Sequence, residues 1–180
     1  MGIEVWSDVV CPWCFIGKRR PEGALASAAE VANVEIVHRA FQLDPRAITA
    51  GQKTVEVLST KYGLYAAGAQ RMLEQVTEAA KSENLGYRLA ETTSGNTSVV
   101  HQILLWAQSQ GVGQELLPFI IDAGLDPEEA REVISAGSFL TAVQSDQDQA
   151  GALGATGVPF SSCSQIEPQL SPFTRDEGVK

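Results

Sequence analysis

The stretch GIEVWSDVVCPWCFIGKRR, residues 2–20, decides how the fold begins. Apolar and polar residues alternate over residues 2–7, which predicts a short strand that runs into a turn. Proline is favoured at the first helical position, so a helix is predicted from Pro12 to about Ala32. Pro21 lies inside this helix and is predicted to kink or divide it.

A second strand is predicted in VEIVHRAFQL, residues 34–43, which is rich in β-branched residues and ends before an Asp-Pro step. A strand, a helix and a strand in this order form a βαβ unit, whose two strands run parallel. The sequence therefore predicts an α/β fold that begins with such a unit.

From Thr54 to Leu153 apolar residues recur with the period of a helix, and Gly and Asn residues separate the segments. We predict helices near residues 54–62, 66–84, 97–110, 126–136 and 138–153. Together these helices form a helical insertion, residues 51–154, between an N-terminal part, residues 1–50, and a C-terminal part, residues 155–180.

Composition and charge exclude several classes of partner. The chain has 180 residues, 44% of them hydrophobic, which is enough for one domain with a buried core. Its net charge of −9 repels phosphate backbones and anionic membranes, and no run of Lys or Arg offsets it. No apolar run reaches the roughly 20 residues of a membrane span, and no N-terminal targeting segment is recognisable. We expect a cytoplasmic protein with no nucleic-acid or membrane partner, and the sequence leaves its oligomeric state open.

Cys11 and Cys14, in the motif Cys-Pro-Trp-Cys, are the candidate reactive residues. Two cysteines with this spacing at the first turn of a helix have sulfurs close enough to form a disulfide. Cys11 lies at the helix N-terminus, where the dipole favours the thiolate, so we expect its pKa below the free value of roughly 8.5. Cys14, one turn later, is expected to be the resolving thiol. Pro12 limits the backbone donors that reach Cys11, and Trp13 adds an apolar surface for a bound peptide.

Two other interpretations of these cysteines are open. A zinc site needs two further ligands; the chain offers Cys163, His38 and His101, without a second Cys-X-X-Cys or a His-X-X-X-His spacing. Inert buried thiols are the second alternative, although a lowered pKa is expected where such a motif joins a strand to a helix. Redox exchange, which needs no metal or organic cofactor, fits the motif best. Cys163 is either an adventitious exposed cysteine or an intermolecular link.

Five motifs resemble, in the same order, those of the FrnE branch of the DsbA-like thioredoxin-fold proteins. They are SDVVCPWCFIGKRR at 7–20, FQLDP at 41–45, KYG at 61–63, NTSVVH at 96–101 and GVPF at 157–160. The resemblance implies a thioredoxin-like fold interrupted by a helical insertion. It also implies a protein dithiol–disulfide oxidoreductase that acts on protein or small thiol and disulfide substrates, with Cys11 and Cys14 as its catalytic pair.

The same resemblance assigns further residues to substrate binding. Val158 and Pro159 correspond to the family's cis-proline loop, which faces the active site and offers backbone groups to a substrate peptide. His101 is implied to line the cleft above Cys11. Helical periodicity alone predicts instead that His101 is a half-buried histidine with satisfied hydrogen bonds.

Relatives in the same superfamily leave a second function open. The 2-hydroxychromene-2-carboxylate isomerases and kappa-class glutathione transferases typically carry a serine where this chain has Cys11, and they use glutathione. A cysteine at that position, with Cys14 as a resolving thiol, favours dithiol redox chemistry. A glutathione-dependent isomerase or transferase, with glutathione as co-substrate, is the alternative, and a non-catalytic truncated isoform is a third interpretation.

The C-terminal part departs from the family pattern. The family continues after GVPF with an apolar strand, a second strand and a closing helix, whereas SSCSQIEPQLSPFTRDEGVK, residues 161–180, shows no sustained periodicity. We therefore predict an irregular tail after Phe160, whether the tail is genuine or arises from a frameshift or a splice variant. The first strand is then expected to have an unpaired edge, and the chain to be weakly stable.

Overall fold

The structure is a computed structural model that describes residues 2–27, 34–48, 51–111 and 126–164. The strands are β1 (Gly2–Ser7), β2 (Glu35–Ala40), β3 (Gln52–Lys53), β4 (Thr93–Ser94) and β5 (Phe160–Ser164). The helices are α1 (Pro12–Ser27), α2 (Thr54–Tyr62), α3 (Ala66–Lys81), α4 (Ser98–Ser109), α5 (Pro127–Ala136) and α6 (Leu140–Ala152), with a 3-10 turn at Leu89–Glu91. This mixed content confirms the predicted α/β class.

The first three elements form the predicted βαβ unit. β1 and β2 run parallel, and their register pairs Gly2 with Glu35 and Ser7 with Ala40. Helix α1 is continuous, so the prediction that Pro21 divides it is wrong. Proline removes one backbone donor from a helix, and here the turns on either side continue without a break. The predicted continuation of this helix beyond Ser27 lies outside the described residues.

β2 ends earlier than predicted, at Ala40 rather than near Leu43. Phe41 N–H still donates to the Ser7 carbonyl of β1 at 3.1 Å, and the two N–H groups after it donate to side chains. Gln42 N–H donates to Gln147 Oε1 and Leu43 N–H donates to Asp8 Oδ2, each at 2.7 Å. These bonds satisfy the backbone of the segment that leaves the sheet.

The five helices predicted between residues 54 and 153 are present as α2 to α6. Helix α3 stops at Lys81 rather than near residue 84, because Asn84 has a φ of 58° and Leu85 N–H returns to the carbonyl of Ala80 at 3.0 Å. The antiparallel pair β3–β4 was not predicted, since two-residue strands are too short to show a period. No helix within the described ranges is long and apolar enough to cross a lipid bilayer.

Strand β5 overturns the prediction of an irregular tail for residues 161–164. It pairs antiparallel with β1, with Trp6 opposite Phe160, and the sheet order is β2-β1-β5, so β1 is paired on both sides. Backbone groups form this ladder even where the side chains are polar, and the Phe160 ring contributes to the register by packing 5.6 Å from the Trp6 ring. The expected weak stability thus loses its premise. Residues 165–180 lie outside the described residues.

The core beside the sheet is built around Trp6, which is fully buried and packs with Phe41 and Ala150. Trp6 Nε1 donates to the backbone carbonyl of Asp146 at 2.8 Å, and Asp146 Oδ2 accepts from Ala40 N–H at 2.8 Å. These buried bonds attach α6 to both parallel strands. The division of the chain into a part containing the sheet and an insertion over 51–154 stays a prediction.

Candidate active site

Cys11 is the last residue of the turn between β1 and α1, and Cys14 lies in the first turn of α1. Cys11 N–H donates to the Asp8 carbonyl and Cys14 N–H donates to the Cys11 carbonyl, both at 3.0 Å. Pro12 takes the first position of α1, where a missing N–H costs nothing. Both cysteines are free thiols, 8% and 7% exposed. The end of the turn and the first turn of α1 thus hold two thiols together at the start of a helix.

The two thiols differ in acidity. The pKa of Cys11 is lowered from 9.0 to about 7, chiefly because the Cys14 thiol donates a hydrogen bond to the Cys11 sulfur; burial opposes this shift, and the N–H groups of Cys14 and Trp13 support it. The pKa of Cys14 is raised, because its proton is held in that same bond and because the thiol is buried. Near neutral pH, Cys11 is therefore about half thiolate while Cys14 keeps its proton.

The loop before β5 lies against Cys11. The peptide bond between Val158 and Pro159 is cis, as the family resemblance implies. In its thiol form Cys11 donates to the Val158 carbonyl, with Sγ 3.6 Å from the oxygen. On the other side of the loop, a Cβ placed on Gly17 would lie 3.2 Å from Pro159 Cγ. The missing side chain of Gly17 therefore allows the close approach of α1 to this loop.

A buried pair of polar side chains supports the turn. Asp8 Oδ1 lies 3.3 Å from His101 Nε2, and Asp8 Oδ2 accepts from Leu43 N–H. His101 is 2% exposed, so it is more buried than the half-buried histidine predicted from periodicity. It is not among the residues that line the cleft beside Cys11, and direct contact of His101 with a substrate stays a prediction. Its ring contacts the carboxyl group of Asp8, which precedes Cys11 by three residues.

Tyr87 connects the segment after α3 to the redox turn, and sequence reasoning missed it. Its hydroxyl donates to the Pro12 carbonyl at 2.9 Å. Burial raises the pKa of Tyr87, and the negative charge of the Cys11 thiolate raises it further. No local pattern around residue 87 points to this contact, since it joins residues 75 positions apart. Sequence reasoning also did not single out Asp8 as a residue of the site. Its place between a predicted strand and the Cys-Pro step could have indicated that its side chain lies close to the two cysteines.

A cleft of about 940 Å³ opens beside the turn. Four of the predicted site residues line it: Cys11, Pro12, Trp13 and Val158. Three others, Cys14, His101 and Pro159, do not appear in its walls. Only the more acidic thiol of the pair therefore faces the space where a substrate can bind.

The zinc site considered from the sequence would need ligands from Cys163, His38 and His101 in addition to Cys11 and Cys14. Across the described parts of the chain, no three His, Cys, Asp or Glu side chains form a group that could hold a metal ion. Cys163 is exposed on β5, opposite Ile3 of β1. The structure thus brings together a dithiol, a buried Asp–His pair and a cis-proline loop.

The arrangement agrees with a known family. A family model for the DSBA-like thioredoxin domain matches residues 2–163. The chain belongs to this family. The match spans β1 to β5, so the predicted thioredoxin-like fold is confirmed. Among curated proteins, no sequence matches the chain.

Two solved structures are similar to this DSBA-like domain. A probable DsbA oxidoreductase from Streptomyces coelicolor is 34% identical, with a TM-score of 0.83 over 89% of this chain and 79% of that one. A 2-hydroxychromene-2-carboxylate isomerase is 10% identical, with a TM-score of 0.58 over 92% of this chain and 87% of that one. The second similarity concerns the fold alone. The first neighbour agrees with the DsbA-like family that the sequence motifs indicate.

Proposed function

We propose that this DSBA-like domain is a thiol–disulfide oxidoreductase whose Cys11 and Cys14 exchange with disulfides in polypeptides. The observation that carries the proposal is the inequality of the two thiols. Cys11 has a pKa of about 7 and lines the cleft, whereas Cys14 has a raised pKa, is buried and is not among the lining residues. A nucleophile that faces the substrate and a protonated thiol held in reserve are what two-step exchange requires.

In the reducing direction, the Cys11 thiolate attacks one sulfur of a substrate disulfide. The substrate S–S bond breaks, a Cys11–substrate disulfide forms, and the other substrate sulfur leaves as a thiolate that takes a proton from water. Cys14 then gives its proton to water and attacks Cys11 Sγ, which releases the second substrate sulfur as a thiolate that also takes a proton from water. The substrate gains two electrons and two protons in total, and the enzyme becomes the Cys11–Cys14 disulfide. The reverse sequence oxidises a substrate dithiol.

The Val158 carbonyl supports a polypeptide as the substrate. It accepts the Cys11 thiol hydrogen at 3.6 Å. A thiolate has no hydrogen to donate, so ionisation of Cys11 frees this carbonyl for another donor. A backbone N–H of a bound peptide is a donor of the required kind, and it would hold the peptide beside the attacking sulfur.

The test is insulin reduction and refolding of scrambled ribonuclease with the wild-type chain and with Cys11→Ser. We expect the variant to lose catalysed exchange, because no thiolate then faces the cleft. Cys163→Ser is the matched control, since it removes an exposed thiol outside the site and should retain the wild-type rate. Equal rates for wild type and Cys11→Ser would remove the proposal.

The glutathione-dependent alternative can be separated in the same preparation. An isomerase or transferase of that type needs glutathione and an aromatic substrate but no second cysteine. Its activity would survive in Cys14→Ser, whereas completed dithiol exchange would not. Glutathione-dependent turnover that persists in Cys14→Ser, without insulin reduction by the wild type, would favour the alternative.

A further inference from the structure

Tyr87 is held against α1 by apolar packing. Its ring packs against a buried cluster that consists of Ile16 from α1 with Val76 and Ala80 from α3. Ile16 is only 1% exposed, and side chains in such close-packed surroundings have little freedom to move. The Tyr87 hydroxyl donates to the Pro12 carbonyl at 2.9 Å. The packing therefore fixes this hydroxyl beside the first residue of α1.

The carbonyl that accepts this bond belongs to the same peptide group as the N–H of Trp13. A peptide group is planar, and in its usual trans form the C=O and the N–H point in opposite directions. A donor that holds the Pro12 carbonyl therefore also fixes the direction of the Trp13 N–H. A hydrogen bond at the carbonyl also polarises the whole group, which makes its N–H a stronger donor.

The Trp13 N–H is one of the donors that stabilise the Cys11 thiolate. After the Cys14 thiol, which is the main cause, the backbone N–H groups of Cys14 and Trp13 lower the pKa of Cys11. The Cys14 N–H also donates to the Cys11 carbonyl at 3.0 Å. The first N–H groups of a helix have no acceptor within the helix, so the Trp13 N–H can be directed at an anion. Its direction depends on the other end of its peptide group, where Tyr87 binds.

The titratable groups around Cys11 come from three elements. Cys14 of α1 has the largest effect on its acidity, and the negative charge of Asp8 in the preceding turn opposes the thiolate. Tyr87 follows α3, and burial and the charge of the Cys11 thiolate both raise its pKa. The loop with Val158 and Pro159 contributes no titratable side chain. Tyr87 therefore keeps its proton while Cys11 ionises, and it acts as a hydrogen-bond donor throughout.

We propose that Tyr87 is a positioning residue for the nucleophile: by holding the Pro12 carbonyl it aims the N–H of the same peptide group at the Cys11 sulfur and so favours the thiolate. The inference rests on the proposed function for its meaning in exchange, and it adds a residue from outside the Cys-Pro-Trp-Cys motif. Tyr87 acts here through the backbone, without contact with the substrate. The acidity of the nucleophile then depends on a contact between residues 75 positions apart.

The experiment compares the wild type with Tyr87→Phe, which keeps the ring and removes only the hydroxyl. Both proteins carry Cys163→Ser, so that the exposed thiol does not react. Alkylation of Cys11 by iodoacetamide is measured from about pH 5 to about pH 10. We expect Tyr87→Phe to move the midpoint of this profile upwards and to slow alkylation by about threefold at about pH 6, where less thiolate is present. The rate at about pH 10 should be unchanged, because Cys11 is then ionised in both proteins.

A control variant separates this effect from the loss of any tyrosine hydroxyl. Tyr65→Phe changes a side chain that is 93% exposed and should keep the wild-type profile. A role of Tyr87 in stability alone would lower the temperature of unfolding without moving the midpoint of Cys11 alkylation. An unchanged midpoint in a folded Tyr87→Phe would therefore overturn the inference.

Nuclear magnetic resonance tests the route through the peptide group. As Cys11 ionises in the wild type, the amide proton of Trp13 should shift downfield with the same midpoint, because it donates to the thiolate. In Tyr87→Phe this shift should be smaller. A Trp13 amide proton that does not respond to ionisation of Cys11, or that responds equally in both proteins, would contradict the inference. Neither measurement uses a disulfide substrate, so both stay decisive even if insulin reduction shows the proposed function to be wrong.

Discussion

His101 Nε2 lies 3.3 Å from Asp8 Oδ1, and the two side chains are only 2% and 1% exposed. This contact joins α4 to the turn that precedes Cys11. Burial of such polar groups is costly unless each has a partner, and Asp8 has two, His101 and the N–H of Leu43. Two distant segments, α4 and the segment after β2, therefore hold a carboxyl group next to the dithiol.

The first prediction concerns the charge of Asp8. The Cys14 hydrogen bond and burial are the larger influences on Cys11, but the negative charge of Asp8 also raises the pKa of Cys11. Asp8→Asn keeps the shape and removes the charge, so the pKa of Cys11 should fall below about 7. Ultraviolet absorbance of the thiolate against pH measures it. Asp44→Asn, an exposed change in the same cleft, is the control, and an unchanged or raised Cys11 pKa in Asp8→Asn would contradict the prediction.

A second prediction concerns the thiol pair. The hydrogen bond from Cys14 is the largest cause of the lowered Cys11 pKa, so Cys14→Ala should raise that pKa from about 7 towards 9.0. Alkylation of Cys11 by iodoacetamide at neutral pH should slow by about tenfold or more, because less thiolate is present. Cys163→Ala should leave the Cys11 rate unchanged. If Cys11 in Cys14→Ala still titrates near 7, the helix N-terminus rather than the neighbouring thiol sets its acidity.

The sequence predicted the parts of the fold that depend on local patterns. The period of the segment from Thr54 to Leu153 predicted five helices that the structure contains, and the Cys-Pro step predicted where α1 begins. The direction of the Cys11 pKa shift also followed from its place at a helix N-terminus. Its main cause did not, because it depends on the orientation of the Cys14 thiol.

Long-range pairing explains what the sequence did not predict. The residues SSC after Phe160 have no strand period, yet they pair with β1, because the partner strand supplies the backbone groups and Trp6 packs against Phe160. Tyr87 reaches Pro12 across 75 positions. The helical period predicted that His101 is at least half-buried, but it could not name Asp8 as the partner of the ring, because the two residues are 93 positions apart.

The stability of the reduced protein should rise with pH. The unfolded chain holds the Cys11 proton up to about 9.0, whereas the folded chain releases it near 7, so the unfolded state binds more protons between these values. From about pH 6 to about pH 8.5 the free energy of unfolding should increase by about 2 kcal/mol relative to Cys11→Ala. Urea unfolding in excess reductant measures this difference. A flat difference between the two proteins would show that the Cys11 thiolate is not stabilised by folding.

Tyr87→Phe tests the contact between the segment after α3 and the redox turn. Loss of the hydroxyl leaves the Pro12 carbonyl without its 2.9 Å donor, which should lower the free energy of unfolding by about 1 kcal/mol and reduce kcat/KM for disulfide exchange. Tyr65→Phe removes a hydroxyl from a side chain that is 93% exposed and should change neither quantity. Wild-type stability and exchange in Tyr87→Phe would show that the contact contributes to neither.

Gly17→Ala separates the effect of the cis-proline loop on exchange from its effect on stability. An added Cβ at residue 17 would lie 3.2 Å from Pro159 Cγ, so the loop that carries Val158 must move away by a few tenths of an ångström. Gly23→Ala is the matched control, since it is on the same helix and its added Cβ meets no atom within 4 Å. Alanine is the better helix former by about 1 kcal/mol, so Gly23→Ala should raise the unfolding free energy and keep wild-type exchange.

In Gly17→Ala we expect a smaller gain in stability and a several-fold lower kcat/KM, because the Val158 carbonyl leaves its place beside Cys11. Equal exchange rates for the two variants would mean that the spacing between α1 and the loop does not control the chemistry.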